Sequence, residues 1–161
     1  MTTPGPDPQR TAPRRGARLV ADSVSIASDF GALWVAVGLF QVLSGRSPIG
    51  AVVRRLGAAG LTSLVLTRLL KHHFASPRPD GAAATLARTP SSTGFPSGHT
   101  LAAFVAAVVL PRTKVGRALA LVVASTVGWA RVFVGHHRCA DVVAGAAVGS
   151  TAGAALAAVL A

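Results

Sequence analysis

The chain of 161 residues has few acidic residues and almost no cysteine. Asp and Glu together number 5, all of them Asp, against 16 Lys and Arg residues. The single cysteine, Cys139, excludes an intramolecular disulfide framework and a zinc site of the multi-cysteine type. So few carboxylates also leave little from which to build a site for a hard divalent metal ion.

The net charge of +11 is carried by a chain in which only 13% of residues are charged, about half the share in a soluble domain. Apolar residues reach 51%. Such an excess is typical of nucleic-acid-binding proteins and of membrane proteins whose loops and sites carry cations. Most of the cations lie near the N-terminus, at the ends of apolar blocks or in polar motifs. Their positions favour a membrane protein with no nucleic-acid partner.

Five apolar blocks follow a polar N-terminal segment: 23–44, 49–70, 100–110, 115–134 and 142–161. A membrane helix needs about 20 mainly apolar residues, which the third block reaches only if its helix begins near Ser97. The alternative is a soluble bundle of Ala-rich helices, but each of these would need a polar face. The sequence therefore predicts an all-α, multi-pass transmembrane helical bundle of about five membrane helices.

We expect residues 1–18 to form a flexible basic tail and residues 19–161 to form a single membrane-embedded domain. The tail is rich in Pro and Arg and lacks the features of a secretory signal peptide. Within the domain, the long polar connection 76–97 is of a length that is usually functional. Counting membrane crossings brings three polar segments, 71–79, 95–100 and 131–141, to the same membrane face.

Three cations in these segments, Lys71, Arg78 and Arg131, predict a site for a multiply charged anion. Arg offers a planar fork that matches phosphate oxygens, and Lys adds a point charge. Ser97 and Gly98 lie where the third helix begins, so a hydroxyl and free backbone N–H groups reach the same place. The alternative for any single Arg is an interfacial position with its charge in the headgroup region.

The histidines of these segments suggest acid–base and nucleophilic chemistry. His137 and Asp141 are four residues apart, which predicts that they share one face at the start of the last helix. The carboxylate would then bind one ring nitrogen and leave the other as a nucleophile. His99, beside the anion site, is placed to protonate a leaving oxygen. Metal binding by the histidines is the alternative, although the nearby cations would repel the metal. His72, His73 and His136 receive no catalytic role.

The three segments resemble the signature motifs of the type 2 phosphatidic acid phosphatase superfamily, membrane phosphatases related in fold to vanadium haloperoxidases. The first motif, Lys, six residues, Arg-Pro, is matched by Lys71, Arg78 and Pro79. The second, Pro-Ser-Gly-His, is matched by Pro96, Ser97, Gly98 and His99. The third, Ser-Arg, five residues, His, three residues, Asp, is matched by Arg131, His137 and Asp141, with Ala130 in place of Ser. The departure at Ala130 affects a supporting hydrogen bond and no covalent step.

The resemblance implies a role for each matched residue. His137 would be the nucleophile that forms a phosphohistidine, Asp141 would orient it, and His99 would be the general acid that later helps to activate water. The phosphoryl oxygens would be held by Lys71, Arg78, Ser97, Gly98 and Arg131. No cofactor and no metal are implied.

We therefore expect a membrane phosphatase that hydrolyses a lipid phosphate or diphosphate, with membrane lipids around it. Candidate substrates are a polyprenyl-linked phosphate, which analogy favours slightly, phosphatidic acid and phosphatidylglycerol phosphate. The alternative is a catalytically silent protein of the same fold that binds lipid phosphates. Six cations flank the face opposite the motifs, whereas the four that precede the first block lie on the motif side and favour the opposite orientation. The difference favours an extracytoplasmic active site in a protein of the cell membrane.

Overall fold

The structure is a computed structural model that describes residues 15–28, 31–74, 76 and 93–161. Over these residues the chain forms six α-helices and no strand. They are α1 (Arg15–Ser28), α2 (Ala32–Leu43), α3 (Ile49–His73), α4 (Gly98–Val109), α5 (Lys114–Phe133) and α6 (Cys139–Val159). The predicted all-α class is confirmed.

Three of the described helices, α3, α5 and α6, are long and apolar enough to cross a membrane. The bent pair described next adds a fourth if it is one span, so the described helices agree with the predicted transmembrane helical bundle. Helices α1 and α2, which together fill the first apolar block, form one bent pair with an angle of 69° between them. Helix α4 has 12 residues and spans about 18 Å, well short of the ~30 Å hydrocarbon core. Hydropathy detects these blocks but not the bend or the early end of a helix.

Helix α1 begins at Arg15, within the segment 1–18 that the sequence predicts to be a tail. Residues 1–14 lie outside the described part of the chain. Ala21 of α1 packs against Ala130 and Val134 at the end of α5. Composition alone does not predict that α1 starts at Arg15, because the contacts that stabilise α1 come from α5, more than 100 residues later in the chain.

Helix α4 is the centre of the bundle. Its buried residues belong to two apolar clusters, one shared with Trp34 of α2 and Val127 of α5, the other with Ala59 of α3. A short helix that is apolar on all sides can be accommodated here because neighbouring helices cover it. Consecutive helices α3, α4, α5 and α6 alternate in direction, so the end of α3, the start of α4, the end of α5 and the start of α6 meet at one end of the bundle.

Close packing of α4 on α6 depends on glycine at every fourth position of α6. Gly145, Gly149 and Gly153 are buried along one stripe, which begins with Asp141. A Cβ on Gly145 would lie 2.7 Å from the Ser97 carbonyl oxygen, and one on Gly149 would lie 2.5 Å from that of Leu101. The backbone of α4 therefore occupies the space that side chains on α6 would need, as in small-residue interfaces between membrane helices.

We predict that Gly149→Ala lowers the free energy of unfolding by about 1–3 kcal/mol, because the added methyl group meets a backbone oxygen that cannot move aside. Gly60→Ala on α3 is the matched control, since nothing lies within 4 Å of the position of its Cβ. The control should leave stability unchanged or raise it by up to about 1 kcal/mol, as helix propensity dictates. Denaturant unfolding in detergent, followed by circular dichroism, measures both. Equal effects of the two substitutions would contradict close α4–α6 packing.

Candidate active site

A tight turn between α5 and α6 places Arg131 and His137 side by side. Gly135 has φ +78°, a left-handed conformation that glycine adopts without steric cost. The chain then folds back, and the backbone N–H groups of His136 and His137 donate to the Arg131 carbonyl at 3.0 and 3.2 Å. The five-residue spacing between Arg131 and His137 is therefore the spacing that this turn requires.

His137 and Asp141 are brought together, but not as two residues of one helix. Helix α6 begins at Cys139, and Arg138 caps it in an extended conformation. Asp141 turns back toward the cap: its Oδ2 accepts from the Arg138 backbone N–H at 2.8 Å and lies 3.5 Å from His137 Nδ1. Both side chains are buried. The prediction that His137 lies on the helix is wrong, because α6 begins at Cys139. His137 is nevertheless close to Asp141, because the Asp141 carboxylate reaches back beyond the start of the helix.

Arg131 is fully buried and contacts His99 of α4. Its Nη2 lies 2.9 Å from His99 Nδ1 and 3.2 Å from Nε2. Because a guanidinium donates and never accepts, the ring nitrogen that receives this bond carries a lone pair. A buried cation is costly unless polar groups surround it. His99 is one such polar group, and it lies on the first turn of α4.

Ser97 joins the start of α4 to the start of α6. Its backbone N–H donates to the Asp141 carbonyl at 2.9 Å, and its hydroxyl accepts from Thr100 Oγ1 at 2.9 Å. Gly98 follows, where a Cβ would lie 2.9 Å from the methyl group of Thr67 on α3. These contacts hold the N-terminus of α4, with its positive dipole end, between α3 and α6.

Lys71 lies in the last turn of α3 and donates through Nζ to the Thr93 carbonyl. Ser76 makes two further bonds to this segment. Its carbonyl accepts from the Gly94 backbone N–H at 2.9 Å, and its Oγ accepts from the Phe95 backbone N–H at 3.2 Å. The end of α3 is thus joined to the segment that leads into α4. Of the predicted phosphate ligands, Arg78 lies outside the described residues, as does Pro79 of the same motif.

A hollow of about 510 Å³ lies beside Asp141. Phe74 and Phe95, whose ring centroids are 5.7 Å apart, form part of its wall, together with Ser76 and the exposed Arg138. Sequence reasoning missed this hollow. The signal available was Arg138, a further cation between His137 and Asp141 that the motif does not require.

Three further positions bear on the expectations from sequence. Ala130, where the family motif has Ser, is fully buried in the apolar contact with Ala21 of α1, so α1 packs where a hydroxyl would otherwise lie. His72 and His73 are exposed at the end of α3, with ring centroids 5.7 Å apart. Among the described residues, no three His, Cys, Asp or Glu side chains are grouped so that they could share a metal ion.

Comparison with known proteins identifies the family. The family model of the PAP2 superfamily matches residues 52–161, more than half of the chain. The chain belongs to the PAP2 superfamily. The matched region of this PAP2 protein includes all the motif residues, and the resemblance found in the sequence is confirmed.

Among curated proteins, the chain is similar to decaprenylphosphoryl-5-phosphoribose phosphatase from two strains of Mycobacterium tuberculosis. The sequences are 33% identical over 99 residues, which is 61% of this chain and 55% of the relative. The chain thus spans little more than half of the length of these curated relatives.

Two solved structures of the superfamily share the fold. One is LpxE from Aquifex aeolicus, with a TM-score of 0.70, 25% identity, and 89% of this chain and 87% of that chain covered. The other is a transmembrane PAP2 type phosphatidylglycerolphosphate phosphatase from Bacillus subtilis. Its TM-score is 0.73 at 25% identity, and the match covers 91% of this chain and 78% of that chain. Both matches cover far more than the motif segments, so the arrangement of the whole bundle is shared.

Proposed function

We propose that this PAP2 protein is a membrane phosphatase that hydrolyses a lipid phosphate or diphosphate through a phosphohistidine on His137. The observation that carries the proposal is that two pairs of side chains, His137 with Asp141 and Arg131 with His99, lie at the same end of the bundle. His137 Nδ1 lies 3.5 Å from Asp141 Oδ2, and Arg131 Nη2 lies 2.9 Å from His99 Nδ1. One pair supplies an oriented nucleophile, and the other supplies an anion ligand beside an acid.

In the first step, His137 Nε2 attacks the phosphorus atom of the substrate. The Asp141 carboxylate faces Nδ1 and favours the tautomer that has its proton there, which leaves the lone pair on Nε2. As the N–P bond forms, the bond from phosphorus to the leaving oxygen breaks. His99 in its protonated form transfers a proton to that oxygen, so that the lipid leaves as an alcohol, or as a monophosphate when the substrate is a diphosphate.

In the second step, water attacks the phosphohistidine. His99, now neutral, takes a proton from the water while the N–P bond breaks. Inorganic phosphate leaves and His137 Nε2 regains its lone pair. A neutral His99, which can accept from Arg131 Nη2, is the form needed as a base in this step.

Charge stabilisation comes from groups of the chain itself. Arg131 and Lys71, with Arg78, would bind the equatorial oxygens, which carry most of the charge in phosphoryl transfer. The Ser97 hydroxyl and the free N–H groups at Gly98 would add neutral donors. In this proposal, fixed cations take the place that a metal ion occupies in other phosphatases, and no cofactor is required.

The substrate we favour is a polyprenyl-linked phosphate. The named relatives act on different lipid phosphates, among them decaprenylphosphoryl-5-phosphoribose and phosphatidylglycerol phosphate. All share a phosphate attached to a long apolar tail. A site at one end of a membrane bundle suits such a molecule, because the tail stays in the bilayer while the phosphate reaches His137 and Arg131.

We propose further that the protein lies in the cell membrane with its site on the extracytoplasmic face. Six cations lie at the opposite end of the bundle, against four near the N-terminus, and by the positive-inside rule this excess supports a cytoplasmic position for that end. The six are Arg46, Arg54, Arg55, Arg112, Lys114 and Arg117. A fluorescent-protein reporter fused after Ala161 should fluoresce, since α6 ends away from the site. An alkaline phosphatase reporter at the same position that is active in intact cells would contradict this orientation.

The activity itself is tested by phosphate release from a panel of substrates in excess chelator. The panel contains a polyprenyl diphosphate, a prenyl-phosphoryl sugar phosphate, phosphatidic acid and phosphatidylglycerol phosphate. We expect turnover of at least one of them. His137→Ala should lower kcat by about 10⁴-fold or more, as for removal of a nucleophile, and His99→Ala by about 10²–10⁴-fold.

His73→Ala is the control, because this residue is exposed at the end of α3, and it should keep full activity. Wild-type turnover by His137→Ala would overturn the assignment of the nucleophile. Binding of all four lipids without release of phosphate would instead identify a silent lipid-phosphate-binding protein.

A further inference from the structure

A second cavity, of about 640 Å³, lies between α2 and α5 at the end of the bundle opposite the candidate active site. Its volume is within the range of small-molecule sites, about 300–1,000 Å³. Its walls are apolar and come from one face of each helix: Leu33, Trp34 and Val37 of α2, and Leu119, Ala120 and Val123 of α5. Helix α2 packs mainly against α3 and α1, so side chains of α5 do not fill this space.

Two arginines stand at the polar end of the cavity, Arg46 after α2 and Arg112 before α5. The guanidinium of Arg46 lies 5.1 Å from the centre of the Phe40 ring, a cation–π contact that holds it over the cavity. Arg112 precedes Thr113, whose hydroxyl caps α5 by accepting from the Gly116 backbone N–H at 3.0 Å. The positive end of the α5 dipole therefore faces the same place as the two arginines.

Positive charge accumulates at this end of the bundle, where Arg54 and Arg55 lie in the first turns of α3 and Arg54 Nη2 donates to the Leu160 carbonyl at 3.4 Å. One terminal nitrogen of Arg55, Nη1, is occluded from solvent and has no hydrogen-bond acceptor among the described residues. The chain segments that line the cavity, 33–47 and 111–123, contain no Asp and no Glu. An anion between Arg46 and Arg112 would balance the charge of the two arginines that line the cavity.

We propose that the cavity binds an anionic phospholipid of the leaflet opposite the active site. An acyl chain would lie between α2 and α5, and the phosphodiester would lie between Arg46 and Arg112 at the N-terminus of α5. Neighbouring side chains such as Leu43 and Leu119, which are 77% and 63% exposed, continue the apolar surface toward the bilayer. Basic pockets between membrane helices are known to bind anionic headgroups.

The bound lipid would act as a packing element. Helix α2 belongs to the bent pair, and the cavity separates part of it from α5. An acyl chain in the cavity would therefore fix α2 against the bundle. The inference is independent of the proposed catalytic function, because none of the residues involved belongs to the candidate active site. Its test therefore needs no substrate.

Trp34, which is 6% exposed, reports on the occupancy of the cavity. The protein has 2 tryptophans, and Trp129→Phe leaves Trp34 as the only one. This variant is placed in nanodiscs of dioleoylphosphatidylcholine that contain rising fractions of phosphatidylglycerol with brominated acyl chains, which quench tryptophan fluorescence at short range. We expect quenching to saturate at a low mole fraction of brominated phosphatidylglycerol. In a parallel titration with brominated phosphatidylcholine, quenching should rise only in proportion to the mole fraction of that lipid.

The charged and apolar parts of the proposal are tested separately in the same background. Arg46→Gln combined with Arg112→Gln should raise the half-maximal fraction of brominated phosphatidylglycerol by about tenfold or more. Arg117→Gln, which removes a cation of the same end that does not line the cavity, should leave it unchanged. Ala120→Phe, which fills the cavity and keeps the charges, should also abolish saturable quenching.

Three results would overturn the proposal. The first is equal quenching by the two brominated lipids, which would mean that the cavity takes any bilayer lipid. The second is an equal effect of Arg117→Gln and the double variant, which would mean that only the general surface charge attracts the lipid. The third is absence of quenching of Trp34 by either lipid, which would mean that another part of the protein or a second copy covers the cavity.

Discussion

The backbone of α4 can lie against the backbone of α6 only because α6 presents hydrogen atoms where other helices present side chains. Gly145 and Gly149 leave room for carbonyl oxygens of α4 at distances that no Cβ could tolerate. The same stripe begins with Asp141, whose carbonyl accepts from the Ser97 backbone N–H. Helix packing and site geometry are therefore one constraint, because the approach that buries α4 also brings the segment around His99 to the segment around His137.

The meeting of these segments gathers part of the positive charge of the sequence at one end of the bundle. A buried Arg131 beside His99, and Lys71 in the last turn of α3, form a positive environment at one end of the bundle. The opposite end is also positive, through Arg46, Arg112 and their neighbours. Acidic residues are scarce in the sequence, and we propose an anion from outside the chain as a partner at both ends. At the first end we propose the phosphate of a substrate, and at the second the phosphodiester of a structural lipid.

The class of fold and the meeting of the motifs could be predicted from the sequence, because hydropathy and residue spacing are local signals. The bend between α1 and α2 and the 12-residue length of α4 could not, since both depend on how the helices pack. His137 was expected on the same helix as Asp141, but Arg138 is extended and α6 begins only at Cys139. The cavity between α2 and α5 was not foreseen either, because its walls come from segments far apart in sequence. The glycines of α6 are visible in the sequence, but not the helix that packs on them.

The central claim is that His137 carries the phosphoryl group between the two steps, and rapid-quench trapping tests it most directly. Protein mixed with a lipid phosphate labelled at phosphorus and quenched in alkali should carry label that is stable in alkali and released by mild acid, as expected for an N–P bond. His137→Ala should carry none, and the wild-type label should map to the peptide that contains His137. Label that withstands acid, or that persists in His137→Ala, would contradict the account.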